Sequence, residues 1–142
     1  MSLFPRVLPV IAVALVAWAF NVIWEFAQMP LYSAAANAPG HAWACLRASI
    51  VDAVYVTLVY VVLAALHRSI DWVRRVTVAD VTAVVACGLL VAAVIEWRAL
   101  ADGRWSYHPA MPLVWGVGLT PLVQLALLSL VTFTVVRFWW QR

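Results

Sequence analysis

Residues 7–29, VLPVIAVALVAWAFNVIWEFAQM, form an apolar run whose polar side chains are confined to its second half. A helix of about 20 apolar residues is long enough to cross the hydrocarbon core of a bilayer. Asn21, Glu25 and Gln28 recur at helical spacing, so a helix places them on one face. The stretch therefore predicts a membrane-spanning helix that carries an acid on a polar stripe.

Three further runs have the length and composition of spanning helices, and the links between the runs are short. The predicted spans are Val7 to Met29, Cys45 to Leu66, Thr77 to Leu100 and Leu113 to Trp139. Hydrophobic residues make up 67% of the chain and charged residues only 11%, which excludes an ordinary water-soluble domain. Because short links favour antiparallel packing of sequential helices, we predict an all-α integral membrane four-helix bundle, with residues 1–142 as a single transmembrane domain.

The basic residues are all arginine, and they are divided unevenly between the two ends of the predicted helices. One end has Arg6, Arg68, Arg74, Arg75, Arg137 and Arg142, whereas the other has only Arg47, Arg98 and Arg104. Since arginine-rich loops stay in the cytoplasm, this distribution predicts that both termini are cytoplasmic, an N-in/C-in topology. The arginines are scattered rather than clustered, so the predicted partner is the lipid bilayer and not a nucleic acid.

Two local patterns concern the ends of the predicted helices. Thr77 and Asp80 have the spacing of a helix start signal, in which each side chain bonds to the backbone of the other residue. Tryptophans near helix ends are typical anchors at the membrane surface. This pattern predicts interface anchors at Trp43, Trp72, Trp139 and Trp140.

Three acids converge at one depth in this topology. Glu25 lies near the outer end of the first helix, Asp52 about two turns inside the second, and Glu96 about one turn from the end of the third. Lipid is a poor neighbour for polar groups, so we expect the stripe on the first helix to face the interior of the bundle. There it would meet Asp52 on the second helix and Gln124 on the fourth.

One interpretation of these acids is a network of ion pairs that sets the register of the helices. The network would combine four acids with three arginines, namely Glu25, Asp52, Glu96 and Asp102 with Arg47, Arg98 and Arg104. One acid would then lack a countercharge, and desolvation favours the neutral form of such a carboxyl group.

A neutral carboxyl group beside aromatic rings in a dry cavity is also what a general acid toward an alkene or epoxide requires. Tryptophan and tyrosine faces would stabilise the resulting cation. We therefore predict Glu25 as the proton donor, with Asp52 or Glu96 as base and counter-ion. The predicted substrate-binding residues are Asn21, Trp24, Gln28, Trp97, Trp105, Tyr107, Trp115 and Gln124. No ligand spacing typical of a zinc or haem site occurs, so neither a metal ion nor a cofactor is predicted.

Polar, aromatic and proline residues recur near the helix ends. They are Asn21, Trp24, Glu25, Gln28, Pro30, Leu31, Tyr32, Asp52, Glu96, Trp105, Tyr107, Met111, Pro112, Pro121 and Gln124. In this pattern, nearly the whole chain resembles a family of small uncharacterised bacterial four-helix integral membrane proteins. The resemblance implies the fold, a polar site and a multi-pass location in the bacterial cytoplasmic (inner) membrane. It implies no particular reaction.

A shorter resemblance concerns the N-x-x-W-E-F stretch formed by Asn21, Trp24, Glu25 and Phe26. It is similar to a stretch near a helix end in the integral-membrane terpene cyclases of fungal meroterpenoid pathways, where it carries a catalytic acid. The resemblance implies that Glu25 donates the proton. Those enzymes resemble seven-helix proteins, so four helices would enclose a large substrate only as a homodimer. Heterodimeric bacterial lycopene cyclases are similar in using small helical subunits with membrane acids for isoprenoid chemistry.

Three functions remain open at this point. The first is a membrane enzyme that acts on a lipophilic, isoprenoid-like small molecule as a terpene or carotenoid cyclase-like isomerase or lyase. The second is an accessory or packing subunit of a larger membrane complex, whose acids serve only helix packing. The third is a proton-coupled transporter resembling small multidrug-resistance proteins. An open, aromatic-lined cavity beside Glu25 would favour catalysis or transport, and a filled one would favour packing.

Overall fold

The structure, a computed structural model, describes residues 4–33 and 40–140. Four long helices dominate it: α1 Phe4–Gln28, α2 His41–Leu66, α3 Val78–Ala101 and α4 Leu119–Trp140. Each is long and apolar enough to cross a membrane, which confirms the prediction of a mostly helical chain with four such helices. The side chain of Arg6, residues 34–39 of the first link and Arg142, on which the predicted orientation partly depends, lie outside the described residues.

Proline and glycine set the boundary between α1 and α2. α1 ends at Gln28 and is followed by a 3₁₀ turn, Met29–Leu31, whose Pro30 cannot donate a backbone hydrogen bond to a continuing helix. α2 begins at His41, earlier than the predicted Cys45, directly after Gly40. Gly40 has a φ of 87°, a left-handed conformation that glycine adopts without steric cost. Proline thus ends α1, and glycine directly precedes α2.

The predicted start signal of α3 is confirmed. The Thr77 hydroxyl accepts a hydrogen bond from the Asp80 backbone N–H at 3.2 Å, and Asp80 Oδ2 accepts one from the Thr77 N–H at 2.8 Å. The other carboxylate oxygen of Asp80 lies 2.8 Å from Nε2 of His67, which follows the last residue of α2. The capping acid thus also ties the start of α3 to the end of α2.

The fourth helix begins at Leu119, and the prediction that it begins at Leu113 was wrong. Residues 113–118 form a small antiparallel hairpin of β1 Leu113–Val114 and β2 Val117–Gly118. Trp115 and Gly116, between the strands, have φ angles of 50° and 80°. Two successive positive φ angles suit a two-residue hairpin turn and cannot occur in a right-handed helix. Pro121 consequently falls in the first turn of α4, where its missing N–H costs no helical hydrogen bond.

The helices pack in the spatial order α2, α1, α4, α3. α1 packs against both α2 and α4, and α3 packs against α4, whereas α2 and α3 make little direct contact within the described residues. α3 approaches α4 closely at Gly88, where a Cβ atom would lie 2.6 Å from the backbone nitrogen of Ala126. The result is a bundle that is open along the side between α2 and α3.

Trp72 was predicted to be an interface anchor, but its side chain is only 3% exposed. It lies in the 3₁₀ turn Trp72–Arg75, and its ring packs between Tyr60 of α2 and Phe133 of α4, with centroids 5.7 and 5.4 Å away. Its indole N–H donates to the Tyr60 carbonyl at 3.1 Å. A buried indole needs such an acceptor, so Trp72 closes the core at this end of the bundle. Trp43 and Trp139, in contrast, are largely exposed, as anchors would be.

Candidate functional site

The polar stripe of α1 faces the interior of the bundle, as predicted. Asn21 is fully buried and Gln28 is 5% exposed. The Asn21 amide donates to the Ala17 carbonyl within α1 at 2.9 Å, and its carbonyl oxygen is left to accept a bond from α4. Buried amides are stable only when their hydrogen-bonding groups are paired, so the stripe must find polar partners on the neighbouring helices.

Gln124 of α4 is the residue that joins these helices. Its side-chain nitrogen lies 2.8 Å from a carboxyl oxygen of Glu25, 2.8 Å from one of Asp52 and 3.1 Å from Oδ1 of Asn21. Its carbonyl oxygen accepts a bond from the Gln28 amide at 3.0 Å. An amide nitrogen carries two hydrogens and here faces three acceptors, so the acceptors crowd around it. One side chain thus holds residues of α1 and α2 against α4.

Glu25 and Asp52 are neighbours, because a carboxyl oxygen of each lies 2.8 Å from the same Gln124 nitrogen. Two ionised carboxylates so close to each other inside the bundle repel, which favours a proton on one of the pair. Gln28 also donates to Glu25 at 3.1 Å, and Trp24 donates to Gln28 at 3.2 Å. Neutral donors therefore surround this pair of acids, and the arrangement can hold a proton inside the bundle.

Glu96 of α3 has different surroundings from those of the pair. Its Oε2 accepts hydrogen bonds from the Trp105 indole at 3.2 Å and from the Tyr107 hydroxyl. Burial and the bond to Glu96 raise the pKa of Tyr107, which keeps its hydroxyl protonated as a donor. Two donors and no acceptor at one oxygen suit the ionised form of the carboxyl group. The site thus combines two neighbouring carboxyl groups, Glu25 and Asp52, with a third, Glu96, that has its own donors.

Three aromatic side chains, those of Tyr32, Trp105 and Tyr107, form a wall that covers these acids. Tyr32, after α1, meets Trp105 edge to face with ring centroids 6.2 Å apart, and its ring lies 5.6 Å from that of Tyr107. Backbone bonds fix the wall, because Ser33 N–H donates to the Ser106 carbonyl and His108 N–H donates to the Leu31 carbonyl, both at 2.9 Å. Burial raises the pKa of Tyr32, so its ring also stays uncharged. The segments that follow α1 and α3 are thereby joined above the acids.

A cavity of about 300 Å³ opens below this wall. Its polar lining comes from all four helices, namely Glu25 and Gln28 of α1, Asp52 of α2, Glu96 of α3 and Gln124 of α4. Small side chains line the wall that α2 and α3 contribute, namely Ala44, Cys45, Ala48 and Ala92. Because α2 and α3 barely touch, the cavity lies at the open side of the bundle. The space beside Glu25 is therefore open rather than filled by side chains.

The expected network of ion pairs is not what surrounds the acids. In the described part of the chain, the ion pairs are His67 with Asp80 and Arg104 with Asp102, the latter at 3.7 Å. Arg47 and Arg98 are exposed and pair with none of the acids. Arg104 does line the cavity, and its guanidinium lies 5.5 Å from the Trp105 ring centroid. Side-chain amides and aromatic donors, rather than arginines, satisfy Glu25, Asp52 and Glu96.

The structure brings together most, but not all, of the predicted site residues. Trp105 lines the cavity with the three acids, while Asn21, Trp24 and Tyr107 lie behind the lining and bond to it. Trp97 and Trp115 are 54% and 90% exposed and lie away from the cavity. A tryptophan next to an acid in sequence points in a different direction on a helix, which explains the position of Trp97.

Sequence reasoning missed several residues that line the cavity. Met29 and Tyr32 come from the turn after α1, and His41 is the first residue of α2; at such positions sequence spacing carries little directional information. Ala44 and Ala48 could have been found, because they precede Asp52 at successive four-residue steps and so share its face of α2. Alanines at four-residue steps before an acid therefore indicate a helix face that leaves open space beside that acid.

The fold and the site together define a four-helix protein of membrane-spanning composition with an acid-lined cavity at one end. Comparison with protein families, with curated proteins and with solved structures finds no match for the chain. Its function is therefore argued from the chemistry of the cavity.

Proposed function

We propose that this protein is a multi-pass membrane enzyme that isomerises or cyclises a lipophilic, isoprenoid-like substrate by acid–base chemistry. One observation carries the proposal: an open cavity lined by the neighbouring acids Glu25 and Asp52 and by a third acid, Glu96, which has different hydrogen-bond donors. Buried acids with separate environments are the usual arrangement for a general acid and a general base. The bilayer location and the cytoplasmic termini belong to the same proposal.

The proposed reaction begins with proton transfer from Glu25 to a carbon–carbon double bond. The π electrons form the new C–H bond and leave a carbocation on the adjacent carbon. The ring faces of Tyr32 and Trp105 can stabilise this cation, because aromatic faces carry partial negative charge. Glu96 then removes a proton from a neighbouring carbon, whose C–H electrons form the new double bond. The proton returns from Glu96 to the Glu25–Asp52 pair, so the substrate changes only its bonding.

The size and position of the cavity support a lipophilic substrate. A volume of about 300 Å³ corresponds to about ten water-sized groups, enough for the reacting end of an isoprenoid chain. A longer tail can leave through the open side between α2 and α3, where apolar side chains of both helices face outward. A substrate dissolved in the bilayer could enter by the same route.

Proton-coupled transport is supported less well than catalysis. A transporter must expose its acids alternately to both ends of the bundle. Toward the Trp72 end, the space below the acids is filled by a packed core that includes Val13, Val56 and Tyr60, all with no exposed surface. This arrangement favours a reaction that takes place inside the cavity.

The decisive experiment is the exchange of Glu25 for glutamine. We expect Glu25→Gln to lower product formation by about 10² to 10⁴-fold, the usual contribution of a general acid. Lipid extracts of cells that express each protein are compared by mass spectrometry for a change in isoprenoid species. Asp71→Asn, which alters an acid in the turn at the opposite end, is the matched control and should behave as the unaltered protein. A Glu25→Gln extract that equals the unaltered one would remove the proposal.

A further inference from the structure

A second cavity, of about 410 Å³, lies at the end of the bundle opposite the acids. It lies between α3, α4 and the turn Trp72–Arg75, and we call it the Arg137 groove. Its walls are mainly apolar and include Val81, Val84, Leu130 and Phe138. The groove contains no residue of the acid-lined site, so whatever occupies it acts separately from the proposed reaction.

One guanidinium group lines this groove, and a second contacts the last turn of α4. Arg137 of α4 lines it directly, one turn before the end of the helix. Arg74 donates a hydrogen bond of 2.6 Å to the carbonyl oxygen of Trp140, in the last turn of α4. Neither arginine has an acidic partner among the described residues. Two positive charges near one helical turn form a site for an anion.

The acid in the groove does not neutralise this charge. Asp80 also lines it, but one of its carboxylate oxygens bonds to His67 at 2.8 Å and the other to the backbone and hydroxyl of Thr77, each at 2.8 Å. These bonds hold the carboxylate to the start of α3. The arginines remain available to a ligand from outside the described chain.

On the basis of the proposed membrane location, we propose that the Arg137 groove binds an anionic phospholipid, with an acyl chain between α3 and α4, its headgroup phosphate on Arg137, and Arg74 as a further positive charge at the same turn of α4. The groove is apolar where the acyl chain would lie and basic where the phosphate would lie. The exposed Trp139, two residues after Arg137 and therefore at a similar depth on α4, is the residue type that sits at headgroup level. Basic pockets between spanning helices bind anionic headgroups for this reason.

Native mass spectrometry of the purified full-length protein in detergent tests this proposal. The probes are phosphatidylglycerol and phosphatidylcholine with identical acyl chains, added in turn. We expect phosphatidylglycerol to be retained in preference to phosphatidylcholine. Arg137→Gln should weaken retention of phosphatidylglycerol about fivefold, since each arginine near a membrane surface contributes roughly that much. Arg137→Lys, which keeps the point charge, should retain most of the binding.

Two further variants separate the proposal from nonspecific attraction. Arg98→Gln removes an exposed arginine at the other end of α3 and should leave lipid retention unchanged. Val81→Trp places a large side chain in the groove without a change of charge, and it should weaken retention of both lipids in a protein that still unfolds cooperatively. Equal retention of the two lipids, or equal effects of Arg137→Gln and Arg98→Gln, would overturn the proposal. A Val81→Trp protein that changes its oligomeric mass but not its lipid content would assign the groove to a second copy instead.

Discussion

Gln124 is the single side chain on which the acid-lined site depends most. Its amide nitrogen lies within hydrogen-bond distance of Glu25, Asp52 and Asn21, and its carbonyl oxygen accepts from Gln28. Leucine has a similar volume but no donor, so Gln124→Leu would leave these buried groups without their shared partner. We expect a loss of about 1 to 3 kcal/mol in the free energy of unfolding, the usual cost of unpaired buried polar groups. Reversible unfolding in mixed micelles measures it.

A matched control for this change lies on the same helix. The hydroxyl of Thr134 is exposed and bonds only to the Leu130 carbonyl of its own helix, at 2.8 Å. Thr134→Val should therefore change the free energy of unfolding by less than about 0.5 kcal/mol. If Gln124→Leu is no more destabilising than Thr134→Val, the bonds around Gln124 do not stabilise the fold.

Two tyrosine hydroxyl groups in the described part of the chain, one hydrogen-bonded and one not, provide a second comparison. The Tyr107 hydroxyl donates to Glu96, whereas the buried Tyr55 hydroxyl has no hydrogen-bond partner among the described residues. Tyr107→Phe should cost about 1.5 to 3 kcal/mol of unfolding free energy, as for other bonds to charged groups. Tyr55→Phe removes an unsatisfied group and should be neutral or slightly stabilising. Thermal unfolding of the two variants in the same detergent compares them, and equal effects would contradict the assigned role of Tyr107.

The depth of a residue along its helix could be predicted from the sequence, whereas its pairing partner could not. The depths of Glu25, Asp52 and Glu96 follow from their distance to a helix end, so their convergence was predictable. The partners of Arg47 and Arg98 were predicted incorrectly, because pairing depends on the rotation of each helix about its axis. The low hydrophobic contrast between the faces of a spanning helix gives the sequence little information on that rotation.

At the scale of elements, the contact between α3 and α4 depends on Gly88. A methyl group there would lie 2.6 and 2.7 Å from the backbone N and Cα of Ala126. Gly88→Ala should therefore force the helices apart and cost about 1 to 3 kcal/mol of unfolding free energy, the usual range for overpacking. It should do so although alanine favours helix by about 1 kcal/mol over glycine. Chemical unfolding of the purified protein measures the net sign.

The double variant Gly88→Ala with Ala126→Gly tests the cause of that loss. The nearest atoms are backbone atoms, which remain when Ala126 loses its methyl group, so the second exchange should not restore stability. Full recovery in the double variant would mean that the side chain of Ala126, not its backbone, limits the approach. A stabilising Gly88→Ala would mean that the two helices can move apart at no cost.

The starts of α3 and α4 show which sequence signals predict the boundary of an element. α3 was placed within a residue of its observed start because Thr77 and Asp80 signal to each other locally. α4 was started too early because LVWGVG is apolar throughout, and an apolar strand pair resembles the first turns of a spanning helix. Only the Trp115–Gly116 pair, with its two positive φ angles, distinguishes the hairpin from the start of a helix. Because tryptophan rarely adopts a positive φ, the sequence favours the helix, which is wrong here.

For the whole molecule, the arginine distribution predicts the orientation in the membrane. An alkaline phosphatase reporter fused after Gly103 should be active, since the proposed topology places the third link outside. The same reporter fused after Ser69 should be inactive, and a fluorescent protein at the C-terminus should fluoresce. Enzyme activity and fluorescence of intact bacterial cells, normalised to expression, measure these outcomes. The reverse pattern would invert the proposed topology and move the acid-lined cavity to the cytoplasmic side.

The order of the helices in space is the part of the whole molecule that the sequence did not predict. Short links predict that every pair of sequential helices packs together. α1 packs with α2 and α3 packs with α4, but the same prediction was wrong for α2 and α3. Nothing local indicates that the two hairpins join through α1 and α4 while α2 and α3 stay apart. That choice depends on small differences between apolar faces, so the open side could be found only in three dimensions.

In the proposed membrane location, lipid tails would contact this open side and so take part in the mechanics of the protein. The contact between α1 and α4 joins the two hairpins, while α2 and α3, at their outer edges, would face the tails. Widening the gap between α2 and α3 would therefore require work against the lateral pressure of the lipid tails. Membranes that differ in thickness or in chain unsaturation would set different widths for the same amino-acid sequence.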